Sequence, residues 1–169
     1  MQPLTKRSEL AWVLVLALTV TLFWTHRDVP AAERSWVHMS SPEVGKSWEK
    51  YGASEAVRAG DFLFIGGLVA ADAKGNTMAP HDGAAQAKII YDRVQKILEA
   101  NGGSAKDIVS ETIYITDWQR WFDGAKQHRI QFYDKAGAAY PAATGIEVLS
   151  LVDSALVFEV ALVAYLGDK

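Results

Sequence analysis

Glu159 is the residue whose surroundings most suggest chemistry. It lies within Phe158-Glu159-Val160-Ala161-Leu162-Val163-Ala164, a run that is otherwise apolar. A carboxylate in such a run costs free energy unless it is paired. Burial also raises its pKa toward the range in which a carboxyl group trades protons near neutral pH. A glutamate at a sheet edge or in an intersubunit salt bridge would account for the same pattern. Other reactive chemistry is sparse. With no cysteine, the chain has no disulfide, thiolate nucleophile or Cys-ligated metal. His26, His38, His81 and His128 have neither H-x-x-x-H nor H-x-H spacing, so no metal site is indicated. Three residues after Ala125, His128 falls on an apolar helical stripe, where a satisfied core or interface histidine is the commoner occupant. Gly60, Gly66 and Gly67 have turn spacing only; there is no G-x-S-x-G, phosphate loop or dinucleotide fingerprint, and no cofactor is implied.

The elements that must position Glu159 follow from periodicity. Ala59-Gly60-Asp61 is a tight turn between Glu55–Arg58 and Phe62–Gly67, which predicts a β-hairpin. Asp82 can cap a helix over about 84–100, with Ile89, Ile90, Val94, Ile97 and Leu98 as its apolar stripe. Asn101-Gly102-Gly103 ends it, because glycine tolerates the left-handed backbone of a helix terminus. Ile108–Thr116 alternates as a strand, and Asp117 caps a second helix carrying Trp118, Trp121, Phe122, Ala125, Phe132, Tyr133 and Ala136 on one side. Thr144–Leu149 and the nearly all-apolar Leu156–Leu166 close the sheet, the latter as a central strand. The order ββαβαββ predicts an α+β fold, a mixed β-sheet with two helices packed on one face.

Composition limits the partners. The 169 residues suffice for one domain with its own core. A net charge of −3, with scattered Lys and Arg, argues against a nucleic-acid surface. Upstream, Lys6 and Arg7 precede the apolar run Leu10–Trp24, whose helix would span only about 22 Å against a hydrocarbon core of roughly 30 Å. Residues 1–24 are therefore expected to be a signal peptide or short membrane anchor, giving an exported or membrane-anchored protein. A translation start at Met39 would instead give a cytoplasmic one. Residues 25–50, with Pro30, Pro42 and Gly45 and no period, are expected to be a linker or arm, and residues 51–169 the domain.

Four stretches of that domain, ASEAVRAGDFLFIGGLVAAD, AKDIVSETIYITDW, YPAATGIEV and ALVFEVALVAYL, resemble the Rid/YjgF (RidA-like) enamine/imine deaminases. The resemblance implies a chorismate-mutase-like fold, a homotrimer with ligand clefts between subunits, and a small-molecule substrate. It further implies that Glu159 positions the hydrolytic water, that Gly67 contacts ligand through its backbone, and that the amides near Thr144 and Gly145 stabilise developing charge. The family's Pro-Ala-Arg-Ser/Thr, whose arginine grips a substrate carboxylate, is Pro141-Ala142-Ala143-Thr144 here. Two further pocket residues of the family, a tyrosine and an asparagine, are Ala53 and Ala125, while Trp118, Trp121 and Tyr140 could wall an aromatic pocket. Without the guanidinium's bidentate grip, the expected substrate is an enamine or imine bulkier or less anionic than amino-acid imines. The alternative is a non-catalytic trimer that binds a small ligand or a protein partner.

Overall fold

The computed structural model describes residues 51–167 together with Trp48 and the backbone of residues 34–37. Leu10–Trp24, and with it the expected signal or anchor, lies outside the described residues. Among the described residues no helix is long and apolar enough to cross a membrane.

The strands are β1 (Arg34–Val37), β2 (Ala56–Ala59), β3 (Phe62–Val69), β4 (Ile108–Ile115), β5 (Ala142–Glu147) and β6 (Phe158–Tyr165). They form one six-stranded sheet in the order β1-β2-β3-β6-β4-β5. All neighbours are antiparallel except β4 and β5, which run parallel. Helices α1 (Gly83–Ala100) and α2 (Trp118–Ala136) supply the α layer, and β6 is central as its composition predicts. Part of the expected arm is thus a strand: Arg34–Val37 pairs with Ala56–Ala59 and extends the sheet at that edge.

Both helices begin where short acidic caps place them. Asp82 accepts a hydrogen bond from the Ala85 amide, and Asp117 accepts one from that of Arg120, satisfying donors that lack an intrahelical partner. The core is the contact between the helices and one sheet face. Along β6, Phe158, Val160, Leu162 and Ala164 are buried and alternate with half-buried Glu159, Ala161, Val163 and Tyr165. Glu159 therefore points to the face that α1 and α2 leave uncovered.

Gln86 of α1 fixes the approach to β6. Its side chain is fully buried, donates to the carbonyls of Ala79 and Ala155 at 2.9 Å each, and accepts from the amides of Val157 and Phe158 at 2.8 and 3.3 Å. Gln86→Ala strands several of these groups. It is expected to cost about 2–4 kcal/mol, read as a lower urea midpoint at unchanged m-value.

Candidate functional site

Strand β3 contains a bulge. Ile65 pairs with Leu162 and Leu68 with Val160, so three steps on β3 match two on β6. The extra residue falls at Gly66-Gly67, where the Gly66 amide still donates to the Glu55 carbonyl at 2.8 Å. Beside the bulge lies the Glu159 side chain. A β-carbon on Gly67 would collide with Glu159 Oε1, so only glycine leaves room for the carboxyl group where it rests.

Glu159 has no hydrogen-bond or ion-pair partner among the described residues. Burial alone pushes its pKa above the usual carboxylate value. It opens into a cavity of about 400 Å³, whose walls include Gly67, Trp48, Tyr51, Asp72, Arg93 and Asp153. Gly67→Ala is expected to keep the fold within about 1 kcal/mol while swinging the carboxyl group toward water. An NMR titration would then show the Glu159 pKa falling toward its ordinary 4.5.

Sequence-predicted residues divide between this cavity and other regions. Glu159 and Gly67 meet in it. Thr144, Gly145 and Ala143 sit on β5, which is exposed along its whole length and lies beyond β4, roughly 10 Å from β6 at ordinary strand spacing. None of the three lines the cavity. A β-carbon on Gly145 would run into the edge of the Trp118 indole, which itself stacks on Phe122 at 4.2 Å, so these rings lie against a strand and do not wall the cavity. Tyr140 is exposed, donates to Asp134 at 2.7 Å and meets Tyr133 edge-on. Ala125, expected in a pocket, is fully buried in the core between helix and sheet, because its position on α2 belongs to the inward stripe.

Sequence periodicity missed two charged arrangements. In the first, Arg93 of α1 reaches the cavity, donates to the carbonyls of Val69 (3.2 Å) and Ala71, and lies 3.7 Å from the fully buried carboxylate of Glu55. In the second, buried Glu111 of β4 accepts from Tyr91 and from Arg129 Nε, each at 2.6 Å. Burial, and then the Glu111 charge, hold the Tyr91 phenol well above its usual pKa. The second was signalled in the sequence: Glu111 is in phase with Ile113 and Ile115, so a charge stood at an inward position.

Fold and site together define, among the described residues, an α+β domain of the chorismate-mutase-like type, with an open sheet face and a carboxylate-bearing cavity beside a bulged strand. Comparison with known proteins specifies this further. The family model described as Endoribonuclease L-PSP matches residues 46–166. A RutC family protein of Pyrococcus horikoshii is 32% identical over 112 residues, which are 66% of this chain and 85% of that protein. Among solved structures, a Mycobacterium tuberculosis member of the YjgF/YER057c/UK114 family superposes with a TM-score of 0.62 at 26% identity, covering 79% of this chain and 99% of that one. The E. coli TdcF structure with bound serine gives 0.60 at 27%, covering 67% and 87%. The chain belongs to the Rid/YjgF family. The matched region begins at residue 46 and so includes Trp48.

Proposed function

We propose that the protein is a cofactor-independent hydrolytic deaminase acting on an enamine- or imine-like C=N substrate. The observation that carries this is Glu159: a carboxyl group raised in pKa by burial, without a partner among the described residues, facing a cavity of about 400 Å³. Such a group suits general base catalysis. In the hydrolysis, Glu159 takes a proton from water as the water oxygen bonds to the C=N carbon. The imine nitrogen enters protonated, so the product is a neutral carbinolamine. Glu159 returns its proton to that nitrogen, and the C–N bond breaks with release of ammonia as the hydroxyl proton passes to Glu159 and the C–O bond becomes the carbonyl. Ala143 offers no cation, so a small α-imino acid lacks its carboxylate clamp and a bulkier or less anionic substrate is favoured.

The working unit in this proposal is a homotrimer. Thr144 and Gly145 lie apart from Glu159 within one chain, so a neighbouring subunit's β5 is needed to bring strand amides to the cavity. Phe62, Phe64, Tyr140, Ile146 and Leu149 are all exposed in the single chain, which suits covered subunit interfaces. Light scattering is expected to give about three chain masses; a stable monomer would remove the shared cleft.

Ammonia release from a panel of imines generated in situ tests the activity. Turnover of any member above the buffer rate supports the deaminase. Saturable binding of the panel's carbonyl products without turnover would replace it with a non-catalytic ligand-binding trimer.

A further inference from the structure

We propose that the Glu159 cavity selects organic cations, so that the substrates are amine-derived imines bearing positive charge and an apolar body, not imino acids. This inference rests on the deaminase proposal for the reaction, but it arises from a different set of residues.

The cavity itself is established by the bulge, Gly67 and Glu159; its walls decide what charge it accepts. Asp72 and Asp153 line it beside Glu159. Both are fixed in place by hydrogen bonds made to the carboxylate. Asp72 accepts from the amides of Lys74 and Asn76 and from the Asn76 side chain at 2.8–2.9 Å. Asp153 accepts from Thr77 Oγ1 and the Ala155 amide, each at 2.8 Å, which ties the segment before β6 to the turn after β3. The same bonds favour the ionised forms and hold both groups below the usual carboxylate pKa.

Only Arg93, among the described residues lining the cavity, is a cation. Its charge is already matched by Glu55 at 3.7 Å, and its terminal nitrogens are turned to the carbonyls of Val69 and Ala71. The balance facing a ligand is therefore negative. Two aromatic walls, Trp48 and Tyr51, add surfaces that attract cations through their π faces while packing against an apolar body. A substrate carboxylate would meet like charge on two sides, whereas an ammonium or iminium would be attracted to every charged wall except the neutralised Arg93.

The test uses full-length protein and two probes that share a phenethyl body and differ in head group, phenethylammonium and 3-phenylpropanoate, titrated at pH 7 with tryptophan fluorescence and calorimetry as readouts. Phenethylammonium is expected to bind at least tenfold tighter, a preference of a size that one cation–π contact plus nearby charge supplies. That preference should shrink with added salt, and also in Asp72→Asn and Asp153→Asn. Asparagine keeps the backbone-amide bonds at its one acceptor oxygen, while its Nδ2 can donate to a flipped Asn76 amide or to Thr77 Oγ1, and circular dichroism would establish that each variant is folded. Equal or tighter binding of 3-phenylpropanoate overturns the inference, as does a preference unchanged in both variants. The two proposals fail separately. Cation binding without turnover of any imine removes the deaminase and leaves the charge selectivity. Turnover that favours imino acids over amine-derived imines removes the charge selectivity and leaves the deaminase.

Discussion

Glu159→Gln is expected to lower imine turnover by about 10²- to 10⁴-fold, the usual contribution of a positioned general base, while making the folded protein more stable at neutral pH. Both effects follow from one cause. Burial raises the Glu159 pKa above its ordinary 4.5, so the fold binds this proton more tightly than the unfolded chain does. By linkage, the stability associated with Glu159 is fully present below about pH 4.5 and is lost as pH rises through the folded-state pKa. At neutral pH the carboxylate sits half-buried and without a partner among the described residues, a cost that glutamine does not carry. The wild-type rate should fall on the acid side with an apparent pKa above the ordinary glutamate range, and this limb should vanish in the variant. The checks are kcat against pH for both proteins and a comparison of their urea midpoints at pH 4 and pH 7. The midpoints should converge at the lower pH. Undiminished turnover in Glu159→Gln would remove the residue from the mechanism.

The second large effect is structural. Arg129→Met should destabilise the fold by about 3–5 kcal/mol, because it leaves the Glu111 carboxylate buried without its cation. Methionine keeps an unbranched apolar stem but also removes the guanidinium from over the Tyr133 and Tyr140 rings, at 5.1 and 5.7 Å, so the loss reports on the charge in both settings. Glu111→Gln in the same background should recover a large part of it, since an amide tolerates burial beside Tyr91 far better than an unpaired carboxylate does. A double-mutant cycle in urea isolates the coupling. A loss below about 1 kcal/mol for the single variant would place the pair in the weak, solvent-screened class.

How much could be read from sequence depended on whether the deciding interaction was local. The helices were legible because apolar spacing and the caps Asp82 and Asp117 lie within a few residues of what they determine. Strand β4 was legible from its alternation, apart from Glu111, whose charge breaks the pattern and whose partner Arg129 comes from another element. Strand β1 was not legible. Its four residues, RSWV, lie between prolines 30 and 42 with no clear alternation, and its pairing is supplied by the exposed edge of β2. Of the candidate site, Glu159 stood out because a carboxyl group in an apolar strand is costly, and the resemblance supplied Gly67. Asp72, Asp153 and Arg93 did not stand out. Each looks like an ordinary surface charge until the bulge in β3 and the segment before β6 bring the three around one cavity.

That bulge separates the fate of the site from the fate of the fold. Ile65 and Leu68 both face the core, and the additional residue between them is what keeps both in phase with Leu162 and Val160. Removing one of the two glycines would let β3 run as a regular strand with both apolar residues still inward and the ladder to β6 uninterrupted. The resting place of the Glu159 carboxyl group would be lost. A single codon deletion could thus yield a well-paired, soluble descendant without the pocket, whereas point substitutions at Gly67 act only by obstructing it. Among relatives, gaps at this position would therefore be more informative than substitutions for tracing where the site was kept, abandoned or rebuilt.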